Sequence, residues 1–230
     1  MIPWIDSGGE FPALETALAE PNGLLCAGAD LAPETLLKAY TRGIFPWFSD
    51  DQPILWWTPD PRMVLFPAEF RVSRSLARIV KAAKFEIHFD HAFREVIRHC
   101  AAPREPGGGT WIVPAMQAAY LRLHELGHAH SVESWRDGEL QGGLYGVALG
   151  RVFYGESMFT RVSDASKVAL VALVDKLCRD GFELIDCQQQ TRHLASFGAR
   201  PIPRREFAAK LAELIHFEEP TSVWKPACPS

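Results

Sequence analysis

The stretch Phe182-Glu183-Leu184-Ile185-Asp186-Cys187-Gln188 has the residue types and spacing to do chemistry. It reads as a strand, and strand residues two apart share a face, which puts Leu184, Asp186 and Gln188 on one side. A carboxylate at the exit of a buried strand is costly unless it is paired or used. Two readings stay open: Asp186 or Gln188 caps the backbone donors of the next segment, or the two orient a substrate. A second carboxylate, Glu156, ends the apolar run Phe153-Tyr154-Gly155. The glycine before it lets a ligand or another backbone come close. Glu156 can hold a cationic amine or serve as a structural ion-pair partner.

Trp47, Trp56, Trp57 and Trp111 lie close to Pro or Gly in loop-like contexts. Each either closes the core, the usual fate of a large aromatic, or offers a flat face to a nucleobase. Arg71, Arg74, Arg78 and Lys81 step by three, four and three. On a helix running through Arg71 they share one face, and Lys84 extends the stripe. Like charges so placed repel unless an anion shares them. The spacing fits a solvated face and a phosphate-binding face equally. Net charge is −4, so any contact with nucleic acid has to be made by such a local patch.

Other chemistries find little support. His124 and His128 are four apart, but there is no HExxH pattern and no obvious third ligand, which favours surface or core histidines. Ser157 lacks the GxSxG elbow of hydrolases. The glycines of Gln141-Gly142-Gly143-Leu144-Tyr145-Gly146 fall in a strand-like segment, where tight backbone packing explains them better than a phosphate loop. Five scattered cysteines without a CxxC motif indicate neither a disulfide framework nor a zinc site, and favour a reducing compartment.

These residues need elements to position them. With 230 residues, 47% of them hydrophobic and 23% charged, the chain can bury a core without staples. It has room for one large domain, or a small one joined to a medium one. The first sixty residues are rich in Pro, Gly and aromatics, with a helix over Pro33–Arg42 and two short aromatic segments, Ile44–Phe48 and Pro53–Trp57. A soft boundary falls near Arg62. Beyond it the pattern predicts a strand at Met63–Phe66, a helix over Ser73–Lys84 and a strand at Phe85–Phe89. Asp90 then caps a helix to Ala101, a Gly-rich loop covers Pro106–Gly109, and a helix runs from Pro114 to a stop at Gly127. Strands His130–Trp135, Leu140–Leu149 and Val152–Glu156 follow, the first two joined by the turn Arg136-Asp137-Gly138. A long helix Asp164–Asp180, the strand Phe182–Asp186, a short helix and a last helix Arg204–Ile215 complete the series. This order suggests an α+β sheet flanked by helices, compatible with an N-acetyltransferase-like layout. The chain opens with no basic-then-apolar leader and holds no apolar run long enough to span a bilayer, so the cytoplasm is expected.

Eight blocks, in order, resemble the leucyl/phenylalanyl-tRNA–protein transferases. They are Glu20–Leu25, Arg42–Phe48, Trp56–Arg62, Gly109–Ile112, His128–Glu133, Gly142–Val147, Gly155–Phe159 and Leu184–Gln188. The resemblance implies a small N-terminal α/β domain (residues 1–62) and a larger GNAT-like domain (residues 63–230) with a mixed, mostly antiparallel sheet. It implies a bacterial cytoplasmic aminoacyltransferase, expected as a monomer. Its reaction would move Leu or Phe, and Met less well, from tRNA to the N-terminal Arg or Lys of proteins, marking them for N-end rule degradation.

No metal, coenzyme A or other cofactor is implied. Arg161–Ser166 stands where coenzyme A-dependent relatives of the fold carry a pyrophosphate loop. Trp47 and Trp111 match the positions that hold the terminal adenosine of the tRNA. Leu144, Phe153, Ser157, Leu170 and Ile185 match the pocket for the Leu or Phe side chain. Members of the family commonly carry Met at position 144, and Leu conserves that volume. Glu156 falls near the ester and the acceptor amine, and Arg74, Arg78, Lys81 and Lys84 fall where the acceptor stem binds. Asp186 and Gln188 act either as a proton relay or as a positioning pair. The rival readings are a coenzyme A-dependent acyltransferase, a non-catalytic RNA-binding module, and a transferase for other acceptors.

Overall fold

A computed structural model describes residues 2–103, 110–215 and 224. The expected Gly-rich loop at Pro106–Gly109 lies outside them. The aromatic N-terminal segments pair into a small sheet: β1 (Trp4–Ile5), β2 (Leu24–Gly28), β3 (Phe45–Pro46) and β4 (Leu55–Trp57), in the order β1-β2-β4-β3. Helix α1 (Pro33–Thr41) connects β2 to β3. Pro33 suits its first turn, and Gly43 leaves its end with φ 73°. Asp30 accepts hydrogen bonds from the Ala32 N–H and the Thr35 hydroxyl, which fixes the entry. Trp56 is fully buried, and its indole N–H donates to the Gly28 carbonyl at 3.0 Å, so for this tryptophan the core reading holds.

The large sheet contains β5 (Arg62–Leu65), β6 (Glu86–Phe89), β7 (Ala129–Arg136), β8 (Glu139–Leu149), β9 (Val152–Thr160), β10 (Leu184–Gln188) and β11 (Arg200–Ile202). Its order is β11-β5-β10-β9-β8-β7-β6. Every adjacent pair is antiparallel except β9 and β10. The helices are α2 (Arg74–Lys81), α3 (Phe93–Ala101), α4 (Pro114–Glu125), α5 (Ala165–Arg179), α6 (Arg192–Ser196) and α7 (Arg204–Leu214). The result is a mixed α+β fold. Alternation along β8 and β9 sorts the core into two layers. Leu144 and Phe153 join Leu170 and Leu173 of α5 on one face. Tyr145 and Tyr154 join α3, α4 and the aromatics of the small sheet on the other. The β7–β8 turn is as expected: Arg136 pairs with Glu139, and Asp137 and Gly138 both have positive φ.

Several expectations need correction. Helix α2 starts at Arg74 because the Ser73 hydroxyl accepts the Leu76 N–H. Arg71 therefore precedes the helix, its N–H bonded to the Phe197 carbonyl. At the other end Ala83 turns the chain with φ 47°, so Lys84 lies past the helix and does not extend the stripe. Asp90 does not cap α3. It adopts φ 55°, accepts the Ser131 N–H at 2.8 Å and meets His130 Nδ1 at 2.7 Å. The N-terminus of α3 is served instead by Glu133, which accepts the Ala92 N–H at 3.3 Å. Strand β9 runs on to Thr160, and β11 has no counterpart in the pattern analysis.

Register shifts at four places among the described strands, and two of them fall beside one another in the large sheet. Between β8 and β9, Tyr145 pairs with Ser157 and Gly146 with Gly155, which leaves Glu156 as the extra residue. Between β10 and β5, Asp186 pairs with Val64 and Gln188 with Met63, which leaves Cys187 over. Bulges bend a strand and re-aim its side chains. The parallel pairing of β9 with β10 ends at Tyr154 and Asp186, where these bulges begin. Gly146 sits opposite the first bulge with no room for a side chain. A Cβ there would lie 2.2 Å from the Tyr154 carbonyl oxygen and 2.5 Å from the Phe153 ring. Gly146→Ala should therefore cost about 3 kcal/mol or more in urea unfolding; a change under about 0.5 kcal/mol would show that the bulge yields freely.

Candidate active site

Past the end of the β9–β10 pairing a cavity of about 560 Å³ opens. Leu144, Phe153, Ser157, Leu170 and Ile185, expected from the sequence as a side-chain pocket, all line it. So do Trp47, Trp111, Glu156, Asp186 and Gln188. Its apolar wall comes from β8, β9, β10 and α5. Trp47 leads out of β3 and is 38% exposed; Trp111 is half-buried just before α4. Trp47 is held by its neighbour: the Trp57 indole N–H donates to the Trp47 carbonyl at 2.7 Å, and the two rings meet edge to face.

Glu156, the bulged residue, is 8% exposed. Tyr40 of α1 donates to its Oε1 at 2.7 Å, and Tyr120 of α4 donates to its Oε2 at 2.8 Å. The two phenol oxygens are themselves 2.5 Å apart. Gln188 Nε2 donates to Oε1 at 3.2 Å. Burial pushes the Glu156 carboxyl up to about 7, against the pull of the two phenols. Burial, and next the nearby Glu156, hold both phenols well above their ordinary range.

Asp186 is fully buried and meets a guanidinium. Arg62 Nε and Nη2 donate to its two oxygens at 2.8 and 2.6 Å. The remaining Arg62 nitrogen donates to the Gly43 carbonyl at 3.1 Å, and the rings of Phe45 and Phe207 lie 4.7 and 4.8 Å from the guanidinium carbon. Asp186 also accepts the Gln188 backbone N–H at 2.9 Å. It thus reaches Gln188 through the main chain and not through the side-chain amide. That bond holds Gln188 at φ 59°, a left-handed conformation that non-glycine residues seldom adopt.

Sequence reasoning did not single out Tyr40, Tyr120 or Arg62. They come from α1, α4 and β5, far apart in the chain, and no local spacing connects them. Arg74, Arg78 and Lys81 share an exposed face of α2, away from the cavity. His124 and His128 do not converge. His124 instead lies near Asp90 and His130. Hydrogen bonds already engage this group: His130 faces Asp90 and the Gly127 carbonyl, and His124 Nδ1 faces the Ala129 carbonyl.

Fold and site together give a mixed sheet splayed around an apolar cavity, with a buried acid in its lining. Residues 64–212 match the sequence model of the leucyl/phenylalanyl-tRNA protein transferase, and residues 29–60 match that of its N-terminal domain. The leucyl/phenylalanyl-tRNA–protein transferases of Azoarcus sp. and Nitrosospira multiformis are each 61% identical over 224 residues. Those alignments cover 97% of this chain and 95% and 97% of the relatives. That of Aromatoleum aromaticum is 63% identical over 212 residues, covering 92% of this chain and 90% of the relative. Among solved structures, the L-PGS of Bacillus licheniformis aligns over 82% of this chain and 65% of its own at 12% identity and a TM-score of 0.39, too loose a likeness to fix the layout. The chain belongs to the leucyl/phenylalanyl-tRNA protein transferase family and is an aminoacyltransferase.

The raised Glu156 value has a consequence for stability. The unfolded chain ionises near the ordinary 4.5, and the folded chain near 7. The folded state therefore holds the extra proton between those values. Its stability contribution is complete below 4.5 and is lost as pH rises through 7. Glu156→Gln removes this titration. The variant should gain on the order of 3 kcal/mol relative to the parent between pH 5 and pH 8 in urea unfolding. A pH-independent gap between the two would contradict the burial argument.

Proposed function

We propose that this chain transfers Leu or Phe, and Met less well, from aminoacyl-tRNA to the N-terminal Arg or Lys of acceptor proteins, marking them for N-end rule degradation. The observation that carries this reading is a cavity that joins an apolar wall, two tryptophans and a buried acid. The donor side chain fills the wall formed by Leu144, Phe153, Leu170 and Ile185, with Ser157 beside it. Trp47 and Trp111 stack on the terminal adenosine, at roughly 1–3 kcal/mol per base. The ester then lies between wall and tryptophans, beside Glu156 and Gln188. In the same reading residues 1–62 form a small N-terminal domain and residues 63–230 a GNAT-like one. The chain acts as a cytoplasmic monomer that needs no coenzyme A, metal or other cofactor.

The ester is already activated. The acceptor nitrogen attacks its carbonyl carbon, a C–N bond forms, and the bond to the tRNA 3′-oxygen breaks, that oxygen leaving as a hydroxyl with the proton that the amine gives up. Orientation supplies about 7–11 kcal/mol of such a barrier. The amine must also lose a proton. A Glu156 carboxyl at about 7 is close to the ordinary range of an α-amine, about 7.7–8.0, so the proton moves to it with little penalty. Tyr40 and Tyr120, kept as phenols, fix the carboxylate. Gln188 gives its amide N–H to Glu156, which leaves its carbonyl oxygen to accept from the amine. Asp186, committed to Arg62, positions Gln188 through its backbone N–H.

Arg74, Arg78 and Lys81 bind the phosphates of the acceptor stem, with Lys84 flanking them beyond the helix. Arg78→Ala should weaken tRNA binding alike for Leu and Phe donors and reduce the slope of log K against log salt by about one. An unchanged slope would remove α2 from the tRNA surface. For the chemistry, kcat/KM should fall as pH drops below 7 and Glu156 takes up its proton. The acceptor amine titrates near 8 on its own. Glu156→Gln should therefore lose about 100-fold or more and keep only the amine's limb. Near-parental turnover with an unaltered profile would clear Glu156 of the role.

A further inference from the structure

Trp224 stands far from the cavity in sequence and does not line it, yet it is 4% exposed and packs on a wall residue from behind. Its ring stacks on His130 of β7, with centroids 4.4 Å apart and planes 13° apart. It lies 5.9 Å from Phe153 of β9 at 28°, and meets the edge of Phe89 of β6 at 6.1 Å. The Lys176 ammonium of α5 sits 4.9 Å from its centroid. The His130 ring is itself fixed, with Nδ1 on Asp90 and Nε2 on the Gly127 carbonyl.

Phe153 is thus a partition. The cavity lies on one side of it, the indole backs it on another, and it lies so close to the bare Gly146 that a Cβ there would reach its ring. A ring held this way cannot retreat, because a close-packed interior offers no empty volume to move into. We propose that Trp224 is a specificity-determining positioning residue: acting through Phe153, it limits the depth of the pocket for the donor side chain. The proposal rests on the reading of the cavity as the donor pocket. Without the indole, Phe153 can swing into the vacated space, and the base of the pocket deepens toward β7. Donors larger than Phe then gain relative to Leu.

The test compares kcat/KM for tRNAs carrying Leu, Phe and Trp, with one Arg-initiated acceptor peptide, in full-length Trp224→Ala, Trp224→Phe and Leu144→Phe. The Trp-to-Leu ratio should rise about tenfold or more in Trp224→Ala, the lower end of what one methylene of pocket space decides. It should rise about threefold in Trp224→Phe, which restores part of the backing. The acceptor KM should stay at the parental value in both. Leu144→Phe fills the cavity directly and should lower the Phe-to-Leu ratio. If Leu144→Phe changes nothing, the donor-pocket reading itself fails. If Leu144→Phe shifts the ratio while the folded Trp224 variants keep the parental one, Trp224 serves stability alone and the proposal is overturned. Loss of the folded state in both Trp224 variants overturns it in the same way.

Discussion

The Arg62–Asp186 pair is the interaction on which the rest of the site depends. Both side chains are almost wholly removed from water. Taking two charges out of water costs several kcal/mol per ion, which their attraction offsets only with good geometry and further hydrogen bonds. Both conditions are met. The contact is a two-point fork, a third guanidinium nitrogen reaches the Gly43 carbonyl, and two aromatic faces flank the cation. Gly43 and Phe45 belong to the N-terminal segments and Phe207 to α7. A single guanidinium therefore ties both sheets and the last helix together behind the cavity. Removing either partner alone would leave a buried charge unpaired, a loss of about 3–5 kcal/mol in proteins generally.

That pair also separates the duties of two carboxylates that share one cavity. Asp186 meets a cation, so its charge is matched on the spot. Glu156 is held by two phenols and an amide, all neutral, and burial raises its carboxyl to about 7. Two carboxylates in one cavity thus have different partners, a guanidinium for one and only neutral donors for the other. The link between them is Gln188. Its backbone N–H is held by Asp186, its amide reaches Glu156, and its left-handed φ is the cost of doing both at once.

Local sequence carried much of this. Alternation in β7 and β8, the Asp-Gly turn between them and the long run of α5 could be read because each signal lies within one element. Pairing Leu184 with Asp186 on one face was also legible, for the same reason. The course of the strand at Gln188 was not, since a bulge at Cys187 resets the strand period that the reading assumes. Arg71 and Lys84 fell off the basic stripe because a serine cap and a left-handed alanine set the ends of α2, and charge spacing does not register either. Tyr40 and Tyr120 gave no signal at all. A phenol that matters because it faces a carboxylate 116 or 36 residues away becomes visible only in three dimensions. The pocket residues and the two tryptophans were named through family resemblance; composition alone would have left each aromatic in the core.

The position of the cavity follows from the sheet. β9 and β10 are the sole parallel pair among the seven described strands of the large sheet, and they pair over only three residues each. An antiparallel ladder carried on through Gln188 would have closed the gap with backbone hydrogen bonds and left no room for a ligand. Here each strand bulges just beyond the shared segment, one at Glu156 and the other at Cys187. The strands then part, β9 staying with β8 while β10 turns at Gln188. The same two irregularities open the space and supply its polar rim. α5 and its leucines close one side of that space with apolar surface. The acid and the amide therefore stand where apolar wall gives way to backbone irregularity.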